Sequence, residues 1–157
     1  GRFVGANDMA RTDEVMSAAF FLGIFYSAIL AILYISFRFP LVEVFSPPEG
    51  DFSEIRSLSA FMMIGLSSYV MADAIIIISG GVLRGAGDTR WLMYTSVGLH
   101  WAMLIAQYYV ILVWQFGPQV SWLTFCAMIF AIAIVYVWRL QSGVWRDPEK
   151  LRLVMNE

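Results

Sequence analysis

The side chains in this sequence best suited to chemistry are Tyr69 and Asp73. They are four residues apart, so in a helix they lie on one face, one turn from each other. A carboxylate and a phenol hydroxyl together offer oxygen atoms to a small cation, and the hydroxyl can hydrogen-bond the carboxylate when no cation is bound. The pair is therefore a candidate site for a cation or a proton. Asp73 would be a metal ligand only if that cation is sodium.

Asp73 is also the only charged residue of the apolar stretch 58–83. An aspartate near the middle of a bilayer costs roughly 2.5 to 3.5 kcal/mol, so it normally faces a polar cavity, a polar partner or a bound cation. The residues alone leave two interpretations open. Asp73 either binds an ion, or it only hydrogen-bonds a polar group on a neighbouring helix.

The composition places this site in a membrane protein. Of the 157 residues, 60% are apolar and 14% are charged, and the mean hydropathy is +0.72, which is too apolar for the surface of a soluble domain. A helix needs about 20 apolar residues to cross a bilayer, and only helices or closed barrels satisfy their backbones there. We expect an all-α integral membrane fold with four transmembrane helices, at 15–37, 58–83, 91–116 and 120–138.

The basic residues predict how these helices are oriented, because cytoplasmic loops collect Lys and Arg in excess. If the segment before the first span is cytoplasmic, only Arg38 and Arg56 fall on the outer side. The other eight basic residues then face the cytoplasm: Arg2, Arg11, Arg84, Arg90, Arg139, Arg146, Lys150 and Arg152. Both ends of the chain are therefore predicted to be cytoplasmic, including a tail at 139–157. Charge confined in this way to the connections does not form a nucleic-acid surface.

Small residues indicate where helices approach each other closely. Ala19, Gly23, Ser27 and Ala31 recur every four residues in the first span and predict a packing groove. Gly80 lies seven residues after Asp73 on the same face, where it leaves room for water or for another helix. These are structural signals and carry no chemistry.

A second polar pair lies in the third span, where His100 and Gln107 are seven residues apart and share a face. One interpretation makes them cavity-lining groups that contact a ligand or relay protons. The other is an interhelical hydrogen bond, which is common between membrane helices and which we favour.

The string 83–90, Leu-Arg-Gly-Ala-Gly-Asp-Thr-Arg, is the most distinctive in the chain. Gly85 and Gly87 permit left-handed backbone angles in a tight turn that follows Arg84. Asp88 or Thr89 is predicted to cap the next helix. The glycine spacing fits no phosphate-binding loop. Elsewhere, Asp51 is a predicted cap for the second span, and a short surface helix is predicted from Asp147 onward.

At these residues the sequence resembles the multidrug and toxic compound extrusion (MATE) transporters. Asp73-Ala74 with the string 79–90 resembles the family's tenth helix and the loop after it. Residues 1–8 resemble the loop after the eighth helix, and 142–146 resemble the end of the twelfth. The resemblance thus covers essentially the whole chain.

The resemblance implies that the four spans are helices nine to twelve of a twelve-helix, two-lobed transporter, and that the chain is a C-terminal part of its C-lobe. Such proteins export organic cations and amphipathic compounds in exchange for sodium ions or protons. In the sodium-coupled subgroup, the positions of Asp73 and Tyr69 contribute to the cation site. Ile76 departs from the family by replacing a frequent glutamine, and Arg2 stands where glutamine is usual.

The partners implied are the lipid bilayer, small-molecule substrates, and the missing N-lobe and remaining C-lobe helices. The membrane would be the plasma membrane, which is the inner membrane in bacteria. A lipid-linked precursor flippase of the same superfamily and a non-transporting scaffold are the alternatives. The flippase would favour a more basic cavity than these arginine-free spans provide.

An enzyme is not expected. An aspartyl mechanism needs two carboxylates, and a metal centre needs more ligands than Asp73 and His100 supply. We expect no cofactor other than the coupling ion, sodium or proton.

Overall fold

The computed structural model describes residues 1–45 and 52–147, and within them the fold is entirely helical. A short helix α1 (Arg2–Gly5) precedes α2 (Met9–Ser36), and a second short helix α3 (Arg38–Glu43) follows it. The remaining helices are α4 (Ser53–Gly85), α5 (Thr89–Tyr108), which continues into a π-helical turn (Tyr109–Val113), and α6 (Pro118–Gln141), which a 3-10 turn (Val144–Arg146) follows.

Four of the helices in the described residues are long and apolar enough to cross a membrane. They extend beyond the predicted spans because polar residues such as Asp8 and Arg139 are helical ends rather than connections. The helical run of the third span ends earlier, at Val113 instead of 116. The predicted tail at 139–157 begins inside α6, which continues to Gln141. The predicted cap Asp51 and the helix predicted after Asp147 lie outside the described residues.

Helix α4 is the centre of the bundle, with α2 packed on one side and α6 on the other. The α2 face is the small-residue groove predicted from the sequence. Ser27 is only 2% exposed, and a methyl group at Gly23 would lie 2.5 Å from Cδ1 of Ile78 on α4. The close approach of α2 and α4 therefore depends on residues with little or no side chain.

The contact between α4 and α6 also depends on a residue without a side chain. A methyl group at Gly65 of α4 would lie 2.2 Å from Nε1 of Trp122, so the indole occupies the space that a side chain would take. Further along, Ala72 and Leu83 of α4 are fully buried against an apolar cluster that includes Ile132 and Tyr136 of α6. Helix α5 packs mainly against α6 and meets α4 at the turn that joins them.

Gly65 gives a test of this packing. We expect Gly65→Ala to destabilise the full-length protein by about 1 to 3 kcal/mol, because the rigid Trp122 ring must move. Gly98→Ala on α5 is the matched control, since no atom lies within 4 Å of the added methyl group. It should be neutral or stabilising by up to about 1 kcal/mol. Thermal unfolding in detergent measures both, and equal effects of the two substitutions would contradict the proposed contact.

Candidate functional site

Asp73 lies near the middle of α4, about 30 Å along the axis from Ser53 and about 18 Å from Gly85 at 1.5 Å per residue. Its side chain is partly buried. It makes no hydrogen bond or ion pair with any residue of 1–45 or 52–147. Within these residues, the carboxylate is therefore not used to bridge α4 to a neighbouring helix.

Tyr69 is one helical turn from Asp73, and its ring packs against aromatic side chains of α6. Its ring stacks on Phe125 of α6 at 5.8 Å between centroids, and Phe125 in turn stacks on Trp122 at 5.5 Å. This row of three rings fixes the position of Tyr69. The phenol hydroxyl has no hydrogen-bond partner in the described residues, so it is available to a cation or to the carboxylate.

Gly80 continues the face of Asp73 and is buried. A methyl group at this position would lie 3.6 Å from Cε2 of Tyr136 and 3.7 Å from Nη2 of Arg84. The guanidinium of Arg84 therefore folds back along α4 and rests over the glycine. A side chain of α6 and the nearest basic side chain on the helix of Asp73 thus both lie against Gly80, at distances that would still leave room for a methyl group.

The turn after α4 forms an ion pair that the sequence did not predict. Nε of Arg139 on α6 donates to Oδ2 of Asp88 at 2.8 Å, and the two side chains are only 13% and 18% exposed. The guanidinium carbon of Arg139 also lies 4.9 Å from the centre of the Trp91 ring. Asp88 occupies the N-cap position of α5, but the predicted side-chain cap is wrong, because its carboxylate accepts from Arg139 instead.

Gly85 and Gly87, the two glycines of the turn after α4, have different structural roles. Gly87 has a φ of 81°, so it adopts the left-handed backbone expected of a tight turn. Gly85 remains helical, and a methyl group there would lie 2.8 Å from the backbone nitrogen of Gly1. Gly85 therefore lets the start of the chain pack against the end of α4.

A second ion pair, between Arg146 and Asp13, lies at the same end of the bundle as the turn after α4. Arg146 donates two hydrogen bonds to the Asp13 carboxylate near the start of α2, one of them at 3.1 Å from Nη1. Trp145 is 2% exposed, and its indole donates to the carbonyl of Leu140 at 2.9 Å. The starts of α2 and α5 and the end of α6 are thus joined by charged side chains at one end of the molecule.

His100 and Gln107, the polar pair predicted to share a face of the third span, have different hydrogen-bond partners in the structure. Gln107 donates from Nε2 to the carbonyl of Ser121 at 3.0 Å and accepts from the Ser121 hydroxyl at 2.7 Å, so it joins α5 to α6. His100 is exposed on α5, with Nδ1 2.7 Å from the carbonyl oxygen of Ser96 in its own helix. Neither residue makes a hydrogen bond with Asp73 or Tyr69.

Arg139, Trp91 and Ser121 are the residues that sequence reasoning missed. Arg139 was assigned to a tail, and its ion pair with Asp88 joins residues 51 positions apart. The only sequence signal for a distant partner was the charge of Arg139. This residue directly follows an apolar run and has no carboxylate within four residues in the chain.

The described residues thus define a helical membrane protein with one carboxylate in the middle of its central span. The model of the MatE family matches residues 1–109, more than half of the chain, and the chain belongs to this family of membrane transporters.

Individual relatives agree with this assignment. The chain is 22% identical over 156 residues to the probable multidrug resistance protein NorM of Mannheimia succiniciproducens, covering 96% of this chain and 33% of the relative. It is 26% identical over 155 residues to the multidrug resistance protein MdtK of Photorhabdus laumondii, covering 96% and 34%. The match to MdtK of Proteus mirabilis is 26% over 160 residues, covering 97% and 33%.

The chain therefore spans about a third of the length of the curated relatives it matches. No solved structure matches it significantly.

The ion pair between Asp88 and Arg139 can be measured by a double-mutant cycle with Asp88→Asn and Arg139→Gln. We expect a coupling energy of about 1 to 3 kcal/mol in the unfolding of the full-length protein, because the pair is largely shielded from water. The matched control is the exposed pair Asp8 and Arg11, whose side chains are 41% and 67% exposed. Its coupling should be about 0.5 kcal/mol or less. A coupling energy for Asp8 and Arg11 larger than that for Asp88 and Arg139 would contradict the conclusion that the second pair is the shielded, stronger one.

Proposed function

We propose that this chain is part of a secondary active antiporter that exports organic cations or amphipathic drugs in exchange for sodium ions or protons. Asp73 is the coupling residue, and Tyr69 is its partner at the cation site. The observation that carries the proposal is the unpaired state of the Asp73 carboxylate in a membrane span, beside the unpaired hydroxyl of Tyr69, within the described residues. Membership of a transporter family supports it.

The chemistry required of Asp73 is simple. An ionised carboxylate that no protein cation neutralises is costly in a bilayer, so it favours a state in which a sodium ion or a proton neutralises it. Tyr69 adds one oxygen ligand, and the ring row Tyr69, Phe125 and Trp122 holds that oxygen in place. Neutralisation and ionisation can then favour different conformations of the transporter.

The described residues do not supply a complete cation site. Within residues 1–45 and 52–147 there is no group of three His, Cys, Asp or Glu side chains that could enclose a metal ion. A sodium ion at Asp73 would therefore take further oxygen ligands from the missing helices, from backbone carbonyls or from water. The other helices are also needed for alternating access, because transport requires a cavity between two repeats.

We place the protein in the bacterial inner membrane, with the end that carries Asp88 and Asp13 in the cytoplasm. The charge bias of the loops supports this orientation. The structure brings the start of the chain, the turn after α4 and the end of α6 together, so Arg2, Arg84, Arg90, Arg139 and Arg146 share one end. Arg38 and Arg56 lie around α3 at the opposite end.

The test of the proposed function is drug efflux by the full-length protein in vesicles with an imposed sodium or proton gradient. We expect Asp73→Asn to abolish gradient-driven efflux under both gradients, because a neutral amide has no charge to couple. Tyr69→Phe should weaken the apparent affinity for the coupling ion by about threefold to tenfold, the equivalent of one hydrogen bond.

Glu14→Gln is the matched control, since it makes the same carboxylate-to-amide change at an exposed position near the start of α2. It should transport like the unmodified protein. Insertion is checked by the amount of protein in the membrane. Efflux that persists in Asp73→Asn under either gradient would remove Asp73 from the coupling role.

A further inference from the structure

A cavity of about 520 Å³ lies between α2 and α6, at the end of the bundle where Arg146 pairs with Asp13. Helix α2 lines it with Met16, and α6 lines it with Val137 and Gln141. Arg146, in the 3-10 turn after α6, lines it as well. Among the described residues, none of α4 belongs to the lining, so the cavity is separate from the candidate cation site.

The polarity of the walls changes along the helix axes. Gln141 is the last residue of α6, and Val137 lies one turn further into the span. On α2, Asp13 near the start of the helix is followed at helical spacing by Met16 and Phe20. Each wall thus has a polar residue towards the helix end and apolar residues towards the middle of the membrane. A phospholipid has the same order of polarity, from its headgroup to its acyl chains.

The apolar part of both walls continues towards the middle of the spans. Ile24 of α2 follows Phe20 by four residues and is 40% exposed. Ile134 of α6 precedes Val137 by three residues and is 67% exposed. Residues at these spacings share a helix face. An acyl chain that enters the cavity therefore has apolar surface beside it further into the membrane.

The ion pair beside the cavity offers both charges to a ligand. Arg146 donates two hydrogen bonds to the Asp13 carboxylate, and the two side chains are 36% and 45% exposed. An arginine has N–H donors beyond those that this pair uses, and a carboxylate has further lone pairs. The ion pair can therefore bind an anionic group on Arg146 and a cationic group on Asp13 at the same time.

From this arrangement we propose that the cavity binds a phosphatidylethanolamine molecule of the surrounding membrane. Its phosphate accepts hydrogen bonds from Arg146, as phosphate groups commonly do from arginine. Its primary ammonium donates to Asp13, and one acyl chain lies along Met16, Phe20 and Val137. Charged headgroups at membrane interfaces are recognised by side chains placed in this way.

The charges of the ion pair select among headgroups. A headgroup with a net negative charge is disfavoured, because the Asp13 carboxylate lies beside the phosphate position. Phosphatidylcholine has the same charges as phosphatidylethanolamine, but its trimethylated nitrogen has no N–H to donate to Asp13. The ligand that satisfies both partners is therefore the lipid with a primary ammonium group.

The test is native mass spectrometry of the full-length protein in detergent, with phosphatidylethanolamine and phosphatidylcholine of the same acyl chains added together in equal amounts. We expect phosphatidylethanolamine to be retained about threefold to tenfold more, the equivalent of one hydrogen bond to a charged group. Both lipids compete in one sample, so their ratio does not depend on how much of a variant is folded.

Asp13→Asn should reduce this ratio to less than about twofold, because the neutral amide attracts the ammonium group less. It should also raise the retention of phosphatidylglycerol, whose phosphate then meets an arginine without a carboxylate partner. The matched control is Asp8→Asn, which breaks an exposed ion pair with Arg11 near the start of the same helix. It should keep the ratio of the unmodified protein. Loss of an ion pair with only a structural role would leave both lipid preferences unchanged.

Met16→Trp tests the cavity without changing a charge. It fills the space and should lower the retention of both lipids at least about threefold. Val15→Trp makes the same change at the next residue, which is 54% exposed and does not line the cavity, and should behave like the unmodified protein. Asp73→Asn should also leave the ratio unchanged, so a failure of this inference is separated from a failure of the proposed function.

Equal retention of phosphatidylethanolamine and phosphatidylcholine by the unmodified protein would overturn the inference. An unchanged ratio in Asp13→Asn would overturn it as well, and so would equal retention by the Met16→Trp and Val15→Trp variants. Occupation of the cavity by another segment of the full-length protein would give the first of these results.

Discussion

The structure depends on how closely α2 and α6 can approach α4, the helix that carries Asp73. Within the described residues, α4 packs against both neighbours at positions with little or no side chain, Gly23 on α2 and Gly65 on α4. Between membrane helices there is no hydrophobic driving force, so close van der Waals contact supplies much of the association. This contact packs α4, the helix of Tyr69 and Asp73, between α2 and α6.

The same contacts relate the site to the rest of the molecule. The rings of Trp122 and Phe125 on α6 and of Tyr69 on α4 form a row that ends one helical turn from Asp73. Further along α4, Tyr136 and the folded-back Arg84 lie against Gly80. The two ion pairs of Asp88 and Asp13 then join helix ends at the far end of the bundle.

Local patterns in the sequence were sufficient to predict the four long helices, and they also indicated the candidate site, which stays a prediction. Apolar stretches of about 20 residues predict spans without any knowledge of neighbours, and the spacing of Tyr69 and Asp73 predicts a shared face. The family model confirmed the transporter family that the string 79–90 indicated. The helix ends were placed less well, because Asp8 and Arg139 are polar residues that nevertheless continue or cap helices.

Contacts between distant residues could not be predicted. Asp88 has the residue type and position of a helix cap, yet its carboxylate pairs with Arg139 because folding brings the two together in a site shielded from water. Gln107 shares a sequence face with His100, but its partner is Ser121 on the next helix, and His100 bonds within its own. In both cases, the outcome is decided by tertiary packing rather than by local spacing.

The central claim is that the Asp73 carboxylate binds the coupling ion. The most direct measurement is equilibrium binding to the purified full-length protein, with radioactive sodium and a pH indicator followed together as the sodium concentration is raised. We expect saturable sodium binding, or saturable proton uptake when the pH is lowered without sodium, and in either case loss of the signal in Asp73→Asn. An undiminished signal from both ions in that variant would contradict the account.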